Sequence, residues 1–125
     1  VWIPLSDPGL VSAYTREFHG GNAPPRFVRL LSELQQLELP ATVYAVTSLH
    51  NLWLTMATAA EPLGSTDAIT IDAKGNLCVV SYFEAGNRRA VAGRLCKESE
   101  LRDLVEVYLL RMILCSQSYA TPVPH

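Results

Sequence analysis

Apolar and polar positions change period twice along the chain, dividing it into a helical start, a strand-rich middle and a helical end. Over about residues 8–18, Leu10, Val11, Tyr14 and Phe18 recur at helical spacing. Ser6-Asp7-Pro8 precedes them, supplying a capping side chain and a proline whose missing N–H costs nothing in a first turn. His19-Gly20-Gly21-Asn22 ends this helix, because two glycines release the chain into conformations a helix does not use. Pro24-Pro25 opens a second helix with one apolar stripe, Phe27, Leu30, Leu31, Leu34 and Leu37. Arg26, Arg29, Glu33 and Gln36 take its other faces, and Pro40 lies beyond its end.

From residue 42 the runs become β-branched and aromatic. Thr42 to Thr47 and Leu52 to Thr58 flank Ser48-Leu49-His50-Asn51 as a hairpin. After a loop containing Pro62 and Gly64, Ala68 to Asp72 and Leu77 to Phe83 flank Ala73-Lys74-Gly75-Asn76, where glycine can take the positive φ of a tight turn. A turn around Gly86-Asn87 leads into a fifth strand, Ala90 to Cys96. Ile69-Thr70-Ile71-Asp72 alternates, whereas Leu77-Cys78-Val79-Val80 is apolar on both faces, which predicts an interior strand covered at least partly on both sides.

Ser99 is the expected cap of a last helix over about residues 100–117, with Leu101, Leu104, Val105, Tyr108 and Met112 facing inward. Leu109, Leu110, Ile113 and Leu114 widen that stripe beyond what a one-sided surface helix needs. The excess is expected to meet other helices of the domain or a second chain. Residues 118–125, with Pro122 and Pro124, are expected to be an extended, mobile tail. The expected fold is a single α+β domain over residues 1–125. It is a mostly antiparallel five-stranded meander packed against two N-terminal helices and one long C-terminal helix, in the order α-α-β-β-β-β-β-α.

Composition narrows the partners. A net charge of −2 with no block of like charges gives no electrostatic footprint for nucleic acid or an anionic membrane. No apolar run approaches the roughly 20 residues that cross a bilayer and no signal-peptide pattern is visible, so a cytoplasmic protein is expected. Cys78, Cys96 and Cys115 form no C-x-x-C pair, which argues against zinc or dithiol chemistry. They read as small packed hydrophobes, with a Cys78–Cys96 bridge between adjacent strands as the alternative.

Catalytic constellations are missing from the pattern. His19-Gly20-Gly21 lacks the G-x-S-x-G elbow that a serine hydrolase needs beside such a segment, and no phosphate-loop lysine follows the glycines. His19, His50 and His125 have no ligand spacing. Asp67 and Asp72 flank a strand at an odd interval and fall on opposite faces, a poor acid–base pair. No catalytic residue, metal or cofactor is therefore expected.

The candidate contact residues are His50 and Trp53 near a hairpin tip, Glu84, Arg88 and Arg89 in the only loop with adjacent arginines, and Glu100 with Asp103 as a negative patch. The function expected is a non-catalytic protein-binding domain acting by surface complementarity, of the inhibitor or immunity type. Its partner would be another protein or a second copy docked through the last helix. The alternative is a small-ligand-binding protein or small enzyme with a pocket between the sheet and the N-terminal helices, using Tyr14, His19 and Tyr44.

Overall fold

Three helices lie on one side of a six-stranded antiparallel sheet. A computed structural model describes residues 2–17, 24–48, 51–57, 65–86 and 89–120. The elements in chain order are β1 (Trp2–Pro4), α1 (Leu10–Glu17), α2 (Pro25–Leu34), β2 (Tyr44–Ser48), β3 (Asn51–Thr55), β4 (Ala68–Lys74), β5 (Leu77–Phe83), β6 (Ala92–Lys97) and α3 (Glu98–Ala120). Strand order in space is the order in sequence, and every neighbour is antiparallel. The α+β class and helix placement agree with the sequence pattern. The sheet gains one strand over the expected five: β1 pairs with β2 through Trp2↔Val46 and Pro4↔Tyr44.

The alternation of each strand sorts its side chains onto two faces. On one face, Leu54↔Ile69↔Tyr82 and Leu52↔Ile71↔Val80 form cross-strand rows, and Cys78↔Cys96 continues that face toward β6. These residues, with Ala45, merge into one core with Leu10 and Tyr14 of α1, Phe27, Leu30, Leu31 and Leu34 of α2, and Leu101, Val105, Leu109, Met112 and Ile113 of α3. Leu109 and Ile113, read as widening the last helix, are in that core, while Leu110 and Leu114 remain outside it. Cys78 and Cys96 are buried free thiols on adjacent strands, and burial raises both above the ordinary thiol range.

Local chemistry fixes the helix ends. Asp7, not Ser6, organises the start of α1: its Oδ1 accepts the Gly9 N–H at 2.8 Å and its carbonyl accepts the Leu10 N–H at 3.1 Å. The proline entry into α2 has no side-chain cap, as Pro24 and Pro25 supply preset φ instead. That helix ends at Leu34, and Leu37 packs on the core from the turn that follows. Arg26 ties α2 to the sheet, donating to the carbonyls of Gly75 at 2.7 Å and Leu77 at 3.3 Å, and Arg29 pairs with Glu98 of α3. Helix α3 follows β6 without a linker. Ser99 lies inside its first turn rather than capping it, and the Glu100 carboxylate reaches back to accept the Lys97 N–H at 3.1 Å. The helix runs on to Ala120, so residues 118–120, expected in the tail, are helical, and residues 121–125 lie outside the described residues.

Candidate interaction surfaces

The second face of the sheet has a different composition. Its first row across the strands is Pro4, Tyr44, Thr55, Ala68 and Phe83, and its second is Trp2, Val46, Trp53, Thr70, Ser81 and Gly93. Neither row contains a charged residue. Val46, Thr55, Ala68 and Thr70 of these rows are buried, but none of the rows' side chains belongs to the helix-side core cluster, which is built from the opposite face and from the buried side chains of the helices. Trp53 and Phe83 stack with ring centroids 6.0 Å apart and planes inclined by 17°. Their pairing bridges β3 and β5 above β4, where Ala68 and Thr70 are left 1% and 4% exposed. The rings thus shield the sheet backbone but keep their own outer surfaces half-exposed. Val79 and Leu95 pair in the next row, and the charges on this face, Asp72, Lys74 and Lys97, gather toward the β4–β5 turn.

This arrangement refines the reading of residues 77–83 as an interior strand covered at least partly on both sides: β5 lies between β4 and β6, and its two faces differ in how far they are covered. In β5, Cys78, Val80 and Tyr82 are buried under the helices, whereas Leu77, Val79, Ser81 and Phe83 are half-exposed on the other face. A doubly apolar strand signals two apolar faces, and the sequence does not say what lies over each.

A second apolar region follows the far edge of the sheet and the outside of α3. Among the described residues the exposed large hydrophobics are Val91, just before β6, and Leu95 within it, with Val107, Leu110 and Leu114 on α3. A groove between β6 and α3, of about 360 Å³, is lined by Arg94, Cys96, Glu100, Asp103, Leu104 and Val107 among others. It brings together two of the expected contact residues, Glu100 and Asp103.

At the end of the sheet near the C-terminal half of α3, Asp67 is buried at 6% exposure with both oxygens committed. Its Oδ2 accepts the Tyr82 hydroxyl at 2.6 Å and its Oδ1 accepts the Ala85 N–H at 2.9 Å. Arg111 lies over the Tyr82 ring, 4.4 Å from its centroid, with Glu84 at 3.9 Å, and Tyr108 meets the same ring edge-on. Thr55 Oγ1 accepts the Ala57 N–H and donates to the Asp67 carbonyl, both at 3.2 Å, pinning the chain on either side of the 58–64 segment. A cavity of about 340 Å³ beside this network is mostly apolar, lined by Met56, Met112, Ala85 and three hydroxyl residues. Its one carboxylate is Asp67, already fully hydrogen-bonded.

The remaining expected residues are dispersed. Trp53 belongs to the aromatic stack; Glu84 faces α3 through Arg111; Arg89 is exposed. Tyr14 is 2% exposed in the helix-side core, and burial pushes its hydroxyl above the ordinary phenol range, whereas Tyr44 is on the opposite face of the sheet. The structure does not bring these two together as a pocket. His19, His50 and Arg88 lie outside the described residues. Sequence reasoning weighed Trp2 and Trp53 as core lids or interface anchors, but missed Phe83 as a surface aromatic and Asp67 as a structural acid. The signal available for Phe83 was its even spacing from Val79 and Leu77 on the strand.

Among the described residues no three His, Cys, Asp or Glu side chains gather as a metal-holding group, and no helix is long and apolar enough to cross a membrane. Comparison of the chain with protein-family models, with curated proteins and with solved structures gives no significant match.

Proposed function

We propose that this chain is a non-catalytic protein-binding domain that docks an apolar, helical element of its partner on the aromatic face of its sheet, over which no described helix lies. The observation that carries this reading is the uncharged double row centred on the Trp53–Phe83 stack, outside the hydrophobic core. A sheet face of this composition is stabilised by a second layer. The opposite face of the same sheet, covered by α2 and α3, indicates that helices match its dimensions. Aromatic side chains already ordered by stacking lose little freedom on binding, which is why such groups dominate interface energetics. An uncharged centre selects a partner surface equally free of charge, since a buried unpaired charge is costly. An inhibitor or immunity-type protein is the form this activity takes when the partner is an enzyme or toxin.

The test is site-specific photo-cross-linking from position 83, followed by quantitative binding of the captured protein in purified form. Support requires saturable binding, a cross-link that maps to an amphipathic helix of the partner, and roughly 30-fold weakening by Trp53→Ala, the scale of an aromatic hot spot. Binding that survives both Trp53→Ala and Phe83→Ser in folded variants would refute the docking face. So would turnover of a small molecule with no protein partner present.

A further inference from the structure

We infer that β6 is a pairing edge for a second copy of this chain, extending two six-stranded sheets into one continuous sheet across a twofold axis. The two edges of the sheet are built differently. β1 has three residues and ends in Pro4, which removes a backbone donor, whereas β6 has six residues and exposes Gly93, Arg94 and Leu95 in succession. Among the described residues no strand lies beyond β6. Leu95 is 56% exposed, and Val91, just before the strand, is 42% exposed. Arg94 makes no ion pair among the described residues, although it lines the groove that holds Glu100 and Asp103.

These features are self-complementary in one antiparallel register. Directly opposed residues of an antiparallel pair share a face. Placing Leu95 against its twofold copy therefore sets Arg94 opposite the second copy's Cys96 and Gly93 opposite its Lys97. The groove beside Cys96 carries Glu100 and Asp103, so each Arg94 faces the other copy's acids, and the exchange occurs twice. No like charges are directly opposed along the edge, and the two Arg94 side chains, diagonal to each other, each have the other copy's acids beside them. On the other face, Leu95 against Leu95 joins the two aromatic surfaces into one. A six-residue edge about 20 Å long, with a helix layer behind it, buries roughly 400 Å² per copy. That totals about 800 Å² for the pair, below the roughly 1,200–2,000 Å² of stable specific interfaces, so the dimer is a weak, reversible one that relies on the paired edge and the exchanged charges.

Sedimentation velocity of the full chain from about 10 μM to 1 mM tests this, with amide exchange read at both ends of the range. The expected result is a monomer–dimer equilibrium in which the β6 amides gain protection with concentration. Leu95→Lys and Arg94→Glu should each weaken dimerisation about 10-fold or more without changing the circular dichroism spectrum, because both positions are solvent-exposed. Asp103→Arg should weaken it likewise, and Arg94→Glu combined with Asp103→Arg should recover most of the loss. A strict monomer throughout would overturn the inference. So would open-ended oligomers, a dimer indifferent to Leu95→Lys and Arg94→Glu, or one abolished only by Val107→Lys and Leu110→Lys on α3. Because these variants leave Trp53 and Phe83 in place, dimerisation and partner docking fail or succeed separately.

Discussion

Removing one oxygen atom from the buried Tyr82–Asp67 pair should destabilise the protein far more than its size suggests. Tyr82 is 0% exposed and donates to an Asp67 carboxylate that has one other donor, the Ala85 N–H. Tyr82→Phe preserves the ring, its edge-on contact with Tyr108 and the Arg111 guanidinium above it, so packing is nearly unchanged and the hydrogen bond is isolated. A hydrogen bond to a buried charged acceptor contributes about 1.5–3 kcal/mol, so the expected loss is about 2 kcal/mol. A chain of 125 residues unfolds with an entropy near 0.26 kcal/mol/K, which converts that loss to a fall in Tm of about 8 °C. Asp67→Ala strands both donors and should cost about 3 kcal/mol, whereas Asp67→Asn keeps an acceptor and should cost about half that. The assay is urea unfolding followed by tryptophan fluorescence at constant m-value. The double variant Tyr82→Phe/Asp67→Ala should cost clearly less than the sum of the single losses, with a coupling of about 1–2 kcal/mol. A Tyr82→Phe loss below about 0.5 kcal/mol, or strict additivity, would refute the reasoning, since water would then be reaching the carboxylate.

Alkaline pH and backbone strain give two further tests. Burial raises Tyr14 and Tyr82 above the ordinary phenol range, with the Asp67 hydrogen bond adding to the effect at Tyr82, and burial raises the Cys78 and Cys96 thiols as well. In each case the unfolded chain releases its proton first, so the stabilisation is complete below about pH 8.5 and declines as pH rises beyond it. The decline is up to about 1.4 kcal/mol per pH unit for each tyrosine, checked by urea midpoints from pH 8 to 11, where a flat profile would contradict the burial argument. Gly75 holds φ +61 at the β4–β5 turn, where a Cβ would meet nothing within 4 Å, so Gly75→Ala isolates the backbone term and should cost about 1–2 kcal/mol, or some 4–8 °C in Tm.

How far the sequence disclosed this fold depends on the length of each signal. The Gly75-Asn76 hairpin was legible because a glycine able to take positive φ sits between an alternating run and a β-branched apolar run; β5 keeps its expected bounds, and β4 runs on to Lys74. α2 was legible from a single stripe of large apolar residues. β1 was not, because three residues are too few to show a period and Pro4 reads as a breaker; the strand exists by virtue of its pairing with β2. Asp67 was read only as half of a poor acid–base pair with Asp72, since its partners, the Tyr82 hydroxyl and the Ala85 amide, become neighbours only after β4 and β5 pair.

Two readings met the same physical limit. Both β5 and α3 are apolar on more than one face; the second face of β5 was expected to be at least partly covered, and the excess on α3 to meet other helices of the domain or a second chain. Periodicity reports how much apolar surface an element carries and on which side; it does not report whether a neighbouring element of the same chain lies over it. In α3 the widened stripe divides, with Leu109 and Ile113 joining the core and Leu110 and Leu114 remaining exposed. In β5 the division is by alternation, with Val80 and Tyr82 under the helices and Val79 and Phe83 half-exposed on the other face, where Val79 pairs with Leu95 of β6. The apolar area left outside the core is what the proposed docking face and the proposed pairing edge would each bury, so the binding and sedimentation tests decide between an interaction surface and the ordinary apolar fraction of a folded protein's exterior.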